Sequence, residues 1–136
     1  MATNVDEPPL LTLLMQRMAW LGARQNVLAE NVANADTPGY VARDLKPLNF
    51  ADVLRGTALR ARSGMSVTDP RHIGLAARES PTFFDTSAPD SEASPNGNSV
   101  SLEQEMIKVA GTQAEYQAAS NLYAKAIDML KLAIGR

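Results

Sequence analysis

Residues 31–40 read Asn31-Val32-Ala33-Asn34-Ala35-Asp36-Thr37-Pro38-Gly39-Tyr40, and they separate a helical start from a different middle. Pro38 disfavours helical backbone at Thr37, so a helix arriving from upstream stops here. Pro-Gly suits the two central positions of a type II turn: proline presets φ at about −65°, and glycine takes positive φ without penalty. Asn34 and Asp36 have short polar side chains that can bond nearby backbone as the helix unwinds. Tyr40 then restarts an extended chain with a ring able to pack back. Read locally, the stretch is a helix stop followed by a turn.

Upstream, from Leu10 to about Asn34, there is no proline and one glycine, Gly22. Leu11, Leu14, Met18, Leu21, Leu28 and Val32 recur at separations of 3, 4, 3, 7 and 4, with Gln25 in the one polar slot. That stripe predicts an amphipathic helix of roughly 24 residues, roughly 36 Å long. Pro8 and Pro9 mark its start.

Downstream, a second stripe runs from about Ser101 to Ile134. Leu102, Met106, Val109, Gln113, Tyr116, Ser120, Tyr123, Ile127, Leu130 and Ile134 alternate at separations of 4 and 3. Ser101 is placed to cap this helix, Glu103 and Glu105 suit the positive end of its dipole, and Gly135 suits its C-terminal cap. Periods of 3.5 residues belong to helices that wrap around others. Further apolar residues, Met15, Trp20 and Val27 on the first helix and Ile107, Leu122, Met129 and Leu132 on the second, lie off these stripes. One partner helix would not cover them all.

Residues 41–100 hold five of the eight prolines and four of the eight glycines. Asn49–Leu54 suits one short helix, Met65–Thr68 and Thr82–Asp85 suit short extended pieces, and 87–99 (SAPDSEASPNGNS) is turn and linker chemistry. The chain therefore divides into an N-terminal helix and turn (1–40), an irregular centre (41–100) and a C-terminal helix (101–136). The expected fold is mainly α, with the two long helices pairing as a coiled coil around a small centre.

Composition narrows the function. The 136 residues contain no cysteine and one histidine, His72, which removes disulfides, thiolate metal sites and any motif needing two imidazoles. A net charge of −2 gives no reason to expect nucleic acid or an anionic membrane as partner. No apolar run reaches the roughly 18 residues a membrane span needs, and Asp6 and Glu7 oppose a secretory signal. Glu30 and Asp36 could be cast as acid and base, but no pocket-forming scaffold surrounds them. Seven basic and seven acidic side chains in the centre read as a solvated, salt-bridged face. Neither a cofactor nor a metal site is expected.

The signature Asn31, Ala33, Asn34, Asp36, Thr37, Pro38, Gly39, Tyr40 after an amphipathic helix resembles that of the bacterial flagellar axial proteins. Asn96-Gly97-Asn98-Ser99-Val100 resembles the Asp-Gly-Asn-x-Val segment that opens their C-terminal helix, with Asn96 in place of the usual Asp. Residues 116–136 resemble that helix's end. The length and the uninterrupted signature resemble the short proximal-rod proteins, and the likeness covers about 70 residues at the two ends.

The resemblance implies a structural subunit and not an enzyme. It implies a rod subunit in the periplasmic part of the basal body, polymerising through its terminal helices into the torque-transmitting shaft around the export channel. The implied partners are other rod proteins, the adapter at the motor ring, further copies in a helical assembly, and the type III export gate, reached without a cleaved signal. Phe50 and Leu54 have the form of the Phe-x-x-x-hydrophobic motif read by that gate. Apart from the resemblance, the two amphipathic helices also suit a soluble helical-hairpin adaptor or export chaperone that binds partner helices.

Overall fold

A computed structural model describes residues 9–49, 83–90 and 94–135. The chain separates into two compact units, residues 1–46 with 83–136, and residues 47–82; of the second, only 47–49 are described. Phe50, Leu54, the rest of the short helix expected over Asn49–Leu54, and Met65–Thr68 lie outside the described residues.

The first unit contains helix α1 (Pro9–Ala33), strand β1 (Arg43–Leu45), strand β2 (Asp85–Ser87) and helix α2 (Leu102–Ile134). The structure is mainly helical, and the two long helices pack together. They run antiparallel: Asn31 near the end of α1 bonds Glu105 near the start of α2, while Leu10 and Leu11 line one hollow with Ala126, Met129 and Leu130 at the far end. The strands pair antiparallel, with Arg43 opposite Ser87, Asp44 opposite Thr86 and Leu45 opposite Asp85.

α1 ends as the sequence dictates. The amide of Asn34 still donates to Glu30 and Asn31, then those of Ala35 and Thr37 close tighter turns onto Val32 and Asn34. Tyr40 N–H returns to Thr37 C=O at 3.3 Å across Pro38-Gly39, and Gly39 takes φ +72°. At the other terminus Gly135 adopts φ +82° and caps α2 by donating to Leu132 and Lys131 carbonyls.

Trp20, which lies off the α1 stripe, is 5% exposed, its indole N–H donating to Lys46 C=O at 2.9 Å. The expectation at the start of α2 needs correction. Ser101 stands at the N-cap of α2 with extended backbone, but its side chain makes no capping bond. Instead its own N–H donates to the Asp90 carboxylate at 2.8 Å, so a residue eleven positions upstream satisfies the backbone at this helix start.

The face α2 turns inward also differs from the apolar stripe. Its buried residues are Glu105, Thr112, Ala119 and Ala126, spaced by seven. Of the stripe, Val109, Tyr123 and Ile127 are half-buried, whereas Leu102, Met106, Tyr116, Leu130 and Ile134 are exposed. On α1, Leu11, Leu14, Leu21 and Leu28 are buried, and Met18 and Val32 half-buried. Large leucines on one helix thus face small residues on the other, which lets the axes approach closely. The larger side chains of α2 are left outside.

Candidate functional site

Polar chemistry concentrates where α1 ends, the two strands meet and α2 begins. The sequence places Asn31 one turn before the helix stop, so its side chain is carried by regular helix while residues 40–45 double back beside it. Asn31 is fully buried. Its Nδ2 donates to Arg43 C=O (2.7 Å) and to Glu105 Oε2 (3.0 Å). Its Oδ1 accepts from Arg43 N–H (3.0 Å) and Tyr40 Oη (3.2 Å). All four hydrogen-bonding positions of the amide are filled. By engaging both the N–H and the C=O of Arg43, this side chain does for β1 what a neighbouring strand would do.

Asn98 is its counterpart on the other strand of chain, 1% exposed. Its Nδ2 donates to Asn34 C=O (2.9 Å) and Thr37 C=O (2.7 Å), and its Oδ1 accepts from Val100 N–H (2.8 Å). Backbone bonds run alongside: Gly39 N–H to Asn96 C=O, and Ser99 N–H to Tyr40 C=O. Gly97 sits at φ +81° with backbone atoms of Gly39 3.6 Å from where a Cβ would stand. The signature turn and the Asn96-Gly97-Asn98 segment, 57 to 64 residues apart in the sequence, are therefore one structure. Residues 87–99, expected as a linker, contribute the buried side chains Asp90, Asn98 and Ser99 to it.

Glu105 is fully buried and Asp90 nearly so. Lys108 reaches both, at 2.7 Å to Glu105 and 2.6 Å to Asp90. Burial works against the Lys108 ammonium, but the bonds to Asp90 and Glu105 outweigh it and hold the group above its ordinary value. Thr112, one heptad along, returns its hydroxyl to Lys108 C=O at 2.8 Å. Among the described residues, no buried side-chain nitrogen or oxygen lacks a hydrogen-bond partner.

A second tie joins α1 to β1. Arg24 grips Asp44 through two bonds, 2.8 and 2.7 Å, a bidentate geometry suited to guanidinium and carboxylate. The bond to Asp44 raises the Arg24 value. Burial pushes the Asp44 carboxyl up, yet the Arg24 bonds and charge pull it down further, leaving it below the usual range. Arg17 and Arg24 lie 4.8 and 5.5 Å from the centre of the Trp20 ring, so indole and guanidinium groups form one layer.

Of the other signature residues, Tyr40 and Asn34 are half-buried, whereas Ala33, Asp36, Thr37, Pro38 and Gly39 are exposed. Asn34 donates to Glu30 C=O and accepts from the Thr37 hydroxyl. Sequence reasoning gave Asn98 and Glu105 no buried bonding role and missed Lys108, Asp90, Arg24 and Asp44. One signal was available for Glu105: it begins the seven-residue series that continues at Thr112, Ala119 and Ala126.

The Glu105 and Asp90 carboxylates are taken up by Lys108, Asn31 and Ser101 inside the fold, so their role here is to hold the chain together. Beside this arrangement, an open groove of about 360 Å³ lies between α1 (Ala23, Val27, Glu30) and the strands (Arg43, Leu45, Phe83, Asp85). Arg43 spans its rim, bonded to both Glu30 and Asp85. Among the described residues no cluster of metal-binding side chains occurs, and no helix is long and apolar enough to cross a membrane.

Comparison with known proteins gives one consistent family. A family model described as flagella basal body rod protein matches residues 11–40. The flagellar basal body rod protein FlgB of Agrobacterium fabrum is 31% identical over 143 residues, with both chains covered completely. That of Escherichia coli is 40% identical over 100 residues, 69% of this chain and 70% of the relative. That of Bacillus subtilis is 33% identical over 95 residues, 70% and 69%.

Proposed function

The chain belongs to the flagellar basal body rod proteins, a structural and not an enzymatic family, and from that premise we propose that it polymerises through its terminal helices into the proximal part of the rod. In this reading the helix pairs pack around the export channel and carry torque from the motor ring towards the hook. The chain reaches the periplasmic space through the type III export gate without a cleaved signal, and its neighbours are other rod proteins and the adapter at the motor ring.

One observation carries the reading. α2 presents Leu102, Met106, Ile107, Leu122, Met129, Leu132 and Ile134 to solvent, each more than half exposed. So many large apolar side chains on one helix would be a liability on a chain that works alone. Burying them would favour assembly at about 25 cal/mol per Å² of apolar surface. A contact that repeats head to tail without closing into a ring gives a helical shaft. The stripe residues of both helices, together with these outer positions, supply the packing surfaces, and the signature turn braces the end of each pair.

Size-exclusion chromatography and electron microscopy of the purified chain, alone and mixed with other rod proteins, test the proposal. Short tubes or mixed polymers are expected. A discrete complex with any amphipathic helical peptide, and no polymer under any mixture, would favour the adaptor reading instead.

A further inference from the structure

One row of the seam on each helix repeats every seven residues. On α1 the buried positions 14, 21 and 28 are all leucine, and on α2 the buried positions 112, 119 and 126 are Thr, Ala and Ala. Sliding one helix by a heptad, about 10 Å along the axis, would again set leucines against small side chains. Apolar packing therefore distinguishes poorly between the observed pairing and one displaced by two turns.

The series is broken at one place, on α2. Position 105 of α2, next in the sequence of sevens, is Glu, and α1 answers it with Asn31, three residues past Leu28. A displaced pairing would separate these two and bury Glu105 against leucine, which costs free energy because a buried charge needs its partners. Asn98 adds a second check, since its amide fits between Asn34 and Thr37 only when residues 98–101 lie beside the turn.

We infer that the buried polar side chains Asn31, Asn98 and Glu105 are the specificity determinants that fix the register of the helix pair, while the leucine–alanine seam supplies stability without choosing a register. Isolated polar residues in a helical seam have this role elsewhere. The inference concerns pairing within one subunit, and it stands or falls separately from any reading of how subunits assemble.

The absence of cysteine makes the test direct. Cysteines introduced at the exposed positions Ala19 and Ala110 carry a spin-label pair, one on each helix, in the full-length chain. The parent sequence is expected to give one narrow distance. Asn98→Ala/Glu105→Ala, which makes position 105 resemble the rest of its series, is expected to keep its helical circular dichroism and to show a second population displaced by several ångström. Leu28→Ala, a seam variant, is expected to lower the urea midpoint and leave the single distance unchanged.

A single unshifted distance in the double variant would overturn the inference. So would loss of its helix signal, which would make the cluster a source of stability and not of register. Equal broadening in Leu28→Ala, or a broad distribution in the parent, would overturn it as well.

Discussion

Asn31 on α1 donates a 3.0 Å hydrogen bond to Glu105 on α2, and both side chains are closed to solvent. The bond requires an N–H on residue 31. Asn31→Asp would set two carboxyl groups against each other in a buried site and also lose the donor to Arg43 C=O. The expected loss is about 3–5 kcal/mol at neutral pH, read from urea unfolding.

The Arg24–Asp44 and Lys108 ties predict a stability plateau with two edges. Asp44 is held below the usual carboxylate range, so its contribution is complete above the unfolded value of about 3.9 and lost as pH falls through the lower folded value. Lys108 is held above its ordinary value, so its contribution is complete below about 10.4 and lost as pH rises through the folded value. Urea midpoints measured across pH should be flat between these edges as far as these two groups govern them. Arg24→Met should weaken the acid edge and leave the alkaline one.

Glycines at two kinds of position predict opposite signs. Gly97 sits at φ +81° with the Gly39 backbone alongside, so Gly97→Ala should cost about 1–2 kcal/mol. Gly111 lies within α2, and a Cβ there meets nothing within 4 Å. Gly111→Ala should therefore stabilise the isolated chain by up to about 1 kcal/mol. Thermal unfolding of the two variants side by side would show the contrast.

The outer face of α2 offers a test of assembly that spares the fold. Leu132 is 79% exposed, so Leu132→Lys should leave the urea midpoint within about 0.5 kcal/mol of the parent. The same change is expected to abolish polymer formation with other rod proteins, checked by electron microscopy.

Export is tested through Phe50 and Leu54. Replacing both by Ala should stop secretion of the chain while its cellular level stays unchanged, as read by immunoblot of cell and culture fractions.

Much of this architecture was legible in the sequence because its signals are local. The Pro38-Gly39 turn, the end of α1 and the Gly135 cap follow from backbone preferences that act within a few residues. The inward face of α2 was not legible in the same way. Its large apolar residues satisfy a 3.5-residue period, yet periodicity reveals a stripe without saying what covers it, and here the alanines at 119 and 126 face α1. What covers Trp20 was not legible, because its indole N–H donates to Lys46 C=O, 26 residues away. The buried bonds of Asn98 and Asp90 were hidden for the same reason: their partners are brought near only by the folded chain.

The helix pair is not the same at its two ends. Around Asn31 and Asn98 it is bolted shut by saturated polar bonds, while at Ile134 and Leu132 it stays bare. Such an object has a front and a back. In the proposed assembly, a neighbour meeting this pair would therefore find a different surface at each end.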